Sequence, residues 1–154
     1  MENTATKELT ITRVFNAPRE LVWTAWTEQK HIQQWFAPKG FTNPVCEWNA
    51  QVGSKIYIEM KAPDGVIYPL DGTFVEISKP DKIVFTSAAL DKNGGHLFEI
   101  SNTITFIEEG DKTKVILQFI FSNIVPEGFA HIGGAEIGWN MSLDKLVNLL
   151  PTIK

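Results

Sequence analysis

The sequence predicts an α+β fold in which a curved antiparallel sheet closes around one C-terminal helix. Three observations lead there. From about Phe129 to Leu150, the residues Ile132, Ala135, Trp139, Leu143, Leu146, Val147 and Leu150 recur on one face at the helical period, with Asn140, Asp144, Lys145 and Asn148 elsewhere. From Val45 to Phe121 the apolar residues instead alternate with period two, in segments cut at short intervals by turn residues. An amphipathic helix and a one-sided sheet each need an apolar partner, and here each supplies the other's.

Taken in order, Leu9 to Phe15 reads as a first strand, with Leu9, Ile11 and Phe15 on one side and Arg13 sharing it. Ala17-Pro18 ends that strand. Proline suits the first turn of a helix, so Arg19 to Thr27 follows as a helix with Val22 and Trp26 four apart. A second short helix, roughly Glu28 to Phe36, sets Ile32, Trp35 and Phe36 on one side until Pro38-Lys39-Gly40 breaks it. The strand region is punctuated at Gln51-Val52-Gly53, Pro63-Asp64-Gly65, Ser78-Lys79-Pro80-Asp81, Asp91 to Gly95 and Glu108-Glu109-Gly110-Asp111. Ile56, Ile58 and Met60 oppose Lys55, Glu59 and Lys61, while Phe98, Ile100, Ile104 and Phe106 oppose Glu99, Ser101, Thr103 and Thr105. One sheet face is therefore dry and the other wet, and Val115, Leu117, Phe119 and Phe121 continue the dry one. The expected order is a strand, two short helices, about six strands and a long helix, giving a sheet of about six to seven strands.

Composition bounds the function. A chain of 154 residues that is 44% hydrophobic and 21% charged fits one globular domain over 1–154, burying roughly two thirds of its unfolded surface. Its net charge of −4 lacks the basic excess that a phosphate backbone rewards, so nucleic acid is not an expected partner. Met1 to Thr10 has no apolar block of the signal-peptide type, and the densest later run, Val115 to Val125, is interrupted by Gln118, Ser122 and Asn123, so no membrane insertion is expected. Cys46 stands alone, which excludes an internal disulfide, suits a reducing compartment and points to a cytoplasmic location.

The search for catalytic chemistry returns negatives. There is no Gly-x-Ser-x-Gly elbow, no Gly-x-x-x-x-Gly-Lys phosphate loop and no Cys-x-x-Cys or His-Glu-x-x-His spacing, so no catalytic residue, metal ligand or cofactor is assigned. His31, His96 and His131 lie far apart along the chain, and Glu108, Glu109 and Asp111 flank a glycine in a hairpin, where solvated charge is the ordinary reason. An enzyme of cyclase or hydrolase type needs a titratable group on the dry face, for which Glu47, Glu76, His131 and Glu136 are the candidates.

What stands out is the large apolar set on the inner faces. Each member alone is explained by core packing. As a set they point to a pocket, because a strongly bent sheet cannot bring every strand against one helix, and ligand sites are apolar concavities of this sort. The candidate lining is Trp35, Met60, Tyr68, Phe85, Phe98, Ile100, Phe119, Phe121, Trp139 and Leu143, with Tyr68 and the indole nitrogens of Trp35 and Trp139 as orienting donors. Gly133, Gly134 and Gly138 near the start of the long helix indicate a ragged N-terminus or a close backbone approach. Ile137 and Met141 fall outside the buried stripe and form a small outward patch, available to a homodimer or chaperone contact.

Two stretches carry a resemblance. Phe15-Asn16-Ala17-Pro18-Arg19-Glu20-Leu21-Val22-Trp23-Thr24-Ala25-Trp26-Thr27 and Trp35-Phe36-Ala37-Pro38-Lys39-Gly40-Phe41 resemble the opening signature of the activator of heat-shock-protein-90 ATPase homologue family. The match continues through Met60, Pro63-Asp64-Gly65, Gly72 to Ile77, Pro80 and Ile83 to Thr86, and closes with Gly138-Trp139, Ser142 to Leu146 and Leu150, covering nearly the whole chain from about Leu9. Where the family commonly has Asp, Arg and a Gly-Gly pair before the third strand, this chain has Asn49, Gln51 and Gly53-Ser54. The resemblance implies the START-like or SRPBCC superfamily and its helix-grip fold, with a hydrophobic cavity between sheet and C-terminal helix. It implies no particular ligand, since superfamily relatives carry lipids, plant hormones or polyketides and some cyclise polyketides. The leading expectation is binding of a small hydrophobic molecule, lipid-like or aromatic and polyketide-like. A chaperone-related partner module of the ATPase-activator type and a cyclase- or hydrolase-like enzyme are the alternatives.

Overall fold

The computed structural model describes residues 7–153. Strand β1 (Lys7–Phe15) leads into two short helices, α1 (Arg19–Thr27) and α2 (Gln29–Trp35). Six strands follow: β2 (Thr42–Trp48), β3 (Lys55–Lys61), β4 (Ile67–Ser78), β5 (Lys82–Leu90), β6 (His96–Glu109) and β7 (Lys112–Ser122). Helices α3 (Gly128–Gly133) and α4 (Ala135–Leu149) close the chain, with a 3-10 turn at Leu150–Thr152. The seven strands form one sheet in the order β1-β7-β6-β5-β4-β3-β2, and each neighbouring pair is antiparallel. This is the helix-grip arrangement.

The sheet bends because its ladder is interrupted. Register shifts fall between Thr42 and Val45, between Phe74 and Glu76, and between Ala89 and Leu90, and a bulge adds twist wherever it occurs. Gly72 sits beside this bend, where a Cβ would collide with the Thr86 carbonyl oxygen across β4 and β5. The dry face then wraps the helices, with Ile56, Ile58, Ile83, Ile104, Val115 and Leu117 all at or below 1% exposure.

Helices α1 and α2 fill one end of the curve. The last carbonyls of α1 have no helical donor, and two indoles supply one each: Trp35 Nε1 donates to Ala25 O and Trp48 Nε1 to Trp26 O, both at 2.9 Å. At the start of α1, the buried Thr113 hydroxyl donates to Ala17 O at 2.8 Å and fixes the turn out of β1.

The C-terminal stripe differs from its expected form in three respects. It is two helices rather than one, broken at Gly134 with open space around Gly133, while Gly138 lies inside α4, where a Cβ would stand 3.4 Å from Pro38 Cγ. Val147 is 44% exposed, whereas Ser142 is buried at 4%. Leu143, Leu146 and Leu150 do point inward, at 0%, 0% and 4%. Arg13 shares the dry side of β1 because it reaches the polar flank of α4, with Nη1 2.8 Å from Asp144 Oδ1 and Nη2 2.9 Å from Asn140 Oδ1.

Ser142 is buried for a reason. Its Oγ accepts from the Ala37 N–H at 3.1 Å and its hydroxyl donates to Gly138 O at 3.2 Å. Lys145 Nζ donates to Ala37 O at 3.1 Å, and its partial burial lowers the ammonium's pKa below the ordinary lysine range. Ala37 itself has φ 103°, a conformation that residues with a Cβ rarely adopt and that persists only where its surroundings hold it.

Two outcomes follow. Ser142→Ala strands the buried Ala37 N–H, so urea unfolding should show a loss of about 1–3 kcal/mol; a change below about 0.5 kcal/mol would count against the clamp. Cys46 is buried at 7%, and burial pushes its thiol up to about 11. At pH 8 about one molecule in a thousand then carries the thiolate, so a disulfide reagent should label Cys46 only as fast as the protein opens. Rapid labelling in native buffer would contradict that placement.

Candidate functional site

Because α4 is packed tightly only over its C-terminal half, its first turns stand away from the sheet. Between them lies a hollow of about 400 Å³, partly open to solvent. The floor comes from β4, β5, β6 and the end of β7 with Trp48 of β2 and Met60 of β3, the roof from α4, and one side from the segment Phe36 to Phe41. Among the described residues, no Asp, Glu, Lys or Arg lines it.

Of the side chains expected there, Met60, Tyr68, Phe85, Phe98, Ile100, Phe121 and Trp139 border the hollow. Trp35, Phe119 and Leu143 do not, and their placement corrects the expectation. Trp35 is fully buried against Trp26, with ring centroids 4.7 Å apart, and spends its N–H on α1 rather than on a guest. Phe119 lies behind Trp139, stacked at 5.0 Å with 25° between the planes. Leu143 is sealed in the packed half of α4.

Trp139 is held from several directions. Besides Phe119, Trp26 lies parallel to it at 6.2 Å and 10°, and Phe36 meets it edge-on at 5.5 Å. Such aromatic pairs contribute on the order of 0.5–1.5 kcal/mol each beyond their area, so the indole forms a fixed wall. At the mouth, Tyr68 of β4 faces His131 of α3, ring centroids 6.2 Å apart and edge to face.

Two polar residues of the wall, Asn102 and Ser87, escaped the sequence reading. Asn102 is 2% exposed and donates through Nδ2 to Phe85 O at 3.0 Å, to Ser87 Oγ at 3.0 Å and to Ile100 O at 3.4 Å. The signal was present. Asn102 falls in register between Ile100 and Ile104 on the dry side of β6, as Ser87 does after Ile83 and Phe85 on β5, and a polar residue on a dry face is the informative exception.

The remaining candidates disperse. Of Glu47, Glu76, His131 and Glu136, His131 alone borders the hollow, and it is exposed. Glu47 and Glu136 face solvent, while Glu76 accepts from the Ser78 hydroxyl at 2.7 Å and lies 3.6 Å from Lys82 Nζ. His31 lies on the buried side of α2, where desolvation lowers its pKa, and His96 lies between Asp71 and Glu99 on the wet face. Among the described residues, no group of three His, Cys, Asp or Glu side chains could hold a metal ion. No helix among them is long and apolar enough to cross a membrane. Ile137 and Met141 are exposed at 65% and 38%.

Comparison with solved structures finds the same architecture over nearly the full chain. A protein of Nitrosomonas europaea aligns at TM-score 0.78 with 26% identity, covering 94% of each chain. One from Staphylococcus epidermidis aligns at 0.77 with 26% identity, covering 94% of this chain and 90% of that one. The AHSA1 protein of Silicibacter pomeroyi, at 20% identity, shares the fold at TM-score 0.80, covering 95% and 99%. No curated protein matches the chain. The model of the activator of Hsp90 ATPase homolog 1-like proteins matches residues 16–151, from the turn into α1 to the 3-10 turn after α4, and the chain belongs to that family.

Proposed function

We propose that this protein binds one small hydrophobic molecule, lipid-like or aromatic and polyketide-like, between α4 and the sheet. The observation that carries the reading is a hollow of about 400 Å³ whose wall, among the described residues, holds no carboxylate, ammonium or guanidinium. Ligand pockets span roughly 300–1,000 Å³ and are mostly apolar with a few placed polar groups. A guest there gains about 25 cal/mol for each Å² of apolar surface removed from water. An ionised guest would find no carboxylate, lysine or arginine among the described residues of the wall to offset its desolvation. Met60, Tyr68, Phe85, Phe98, Ile100, Phe121 and Trp139 are the proposed contacts. The unpaired, buried Cys46 suits a reducing compartment such as the cytoplasm.

A second reading has the exposure of Ile137 and Met141 in its favour, with the 44% exposed Val147 on the same helix. It assigns α4's outer surface to a second copy of the chain or to a chaperone-related partner.

The first reading is tested with neutral probes such as biphenyl and 1-decanol. A probe at a hundredfold its Kd should stabilise the protein by about 2.7 kcal/mol, raising Tm by several degrees, and should shift tryptophan emission through Trp139 and Trp48. Ala135→Phe, which fills the roof, should weaken binding without lowering the Tm of the free protein. If no probe in a broad panel moves either signal, the reading fails. For the second, Met141→Asp should abolish any self-association seen by analytical ultracentrifugation at tens of micromolar; unchanged mass would remove this surface as an interface.

A further inference from the structure

We infer that the guest is an alcohol or phenol: an apolar frame bearing one neutral hydroxyl, seated on Asn102 and Ser87 at the floor of the hollow. The inference rests on the ligand-binding reading above and narrows it to a chemical class.

The orientation of the Asn102 amide is fixed by its neighbours. Phe85 O and Ile100 O are carbonyl oxygens that can only accept, so the group facing them at 3.0 and 3.4 Å is the NH₂. Oδ1 therefore points the other way. Among the described residues no donor meets it. Nor is it sealed, because the sealed side-chain polar atoms without a partner are Trp26 Nε1 and His31 Nδ1. A side chain 2% exposed that borders the hollow and has an unsealed, unpartnered oxygen turns that oxygen into the hollow.

Ser87 completes the pair. Its Oγ accepts from Asn102 Nδ2 at 3.0 Å, and its proton meets no acceptor among the described residues. One acceptor and one donor thus stand side by side, flanked on the sheet by Phe85, Ile100 and Phe119. A hydroxyl matches both at once, since it donates to Oδ1 and accepts from Ser87.

Other chemistries match less well. A carboxylate can take the Ser87 proton but brings a negative oxygen against Oδ1, with no lysine or arginine among the described residues of the wall to hold it. A pure hydrocarbon covers Oδ1 and strips it of water without replacing the bond. Trp139 Nε1 also meets no acceptor among the described residues, but as a donor only it can pair with the oxygen of a hydroxyl and not with its proton. Ser142 is committed to Ala37 N–H and Gly138 O, and Tyr68 and His131 stand at the wet mouth.

The test is isothermal titration at pH 7 of the native protein, Ser87→Ala and Asn102→Leu with 2-naphthol, naphthalene and 2-naphthoate. The native protein should bind 2-naphthol about tenfold more tightly than naphthalene, and 2-naphthoate no better than naphthalene. Each variant should cut that tenfold preference to about threefold or less, with naphthalene binding kept or improved. Asn102→Leu also removes the bonds to Phe85 O and Ile100 O; should it fail to fold, Ser87→Ala, which trims a single hydroxyl, still decides. Equal native affinity for 2-naphthol and naphthalene, or a full preference surviving in Ser87→Ala, overturns this inference and leaves a plain apolar site. Binding of none of the three overturns the ligand-binding reading as well.

Discussion

The backbone of Ala37 is the point at which α4 is tied to the layer beneath it, through its N–H to Ser142 and its carbonyl to Lys145. One residue is held by both of its main-chain groups, in a conformation that costs on the order of 1–3 kcal/mol and needs such support. The tie sets the height of the helix. Beyond it toward the C-terminus, Leu143, Leu146 and Leu150 reach full burial; before it, Gly134, Ala135, Gly138 and Trp139 border open space. Packing at one end and separation at the other are two consequences of one anchor.

The aromatic wall carries that geometry into the site. Trp139 sits on the open side of the anchor yet cannot swing, because Phe119 and Trp26 lie parallel to it and Phe36 meets its edge. A wall already ordered in the free protein spares a guest the entropy of immobilising it. The same packing explains why Trp35 serves the helix end rather than the hollow: the orphan carbonyls of α1 need donors wherever water is excluded, and Trp35 and Trp48 are the indoles within reach.

Much of the fold was legible in the order of residues. The period-two segments of β3, β6 and β7 and the break at Pro38-Lys39-Gly40 lie where the pattern puts them. Arg13 on a dry strand face looked like an exception, and the burial of Ser142 in α4 was not foreseen. Each is explained by a partner more than 100 positions away along the chain, Asp144 for the first and Ala37 for the second, and periodicity carries no trace of such pairs. Asn102 was overlooked in the sequence, and its place in register has no meaning until Phe85 O, Ile100 O and Ser87 Oγ are placed around its amide.

Local backbone preference and side-chain alternation are properties of neighbouring residues, so the sequence was enough for the strands, the two short helices after the first of them, the turn glycines and, Val147 apart, the apolar faces. It was also enough to show that the inner surface is rich in aromatic side chains. Whether those surfaces touch or stand apart depends on the difference in shape between a bent sheet and a straight helix, and on contacts between residues far apart in the chain. The hollow, its fixed indole wall and the orientation of one amide at its floor are therefore decided by tertiary packing alone, because a void is set by where side chains fail to meet and no single segment encodes that.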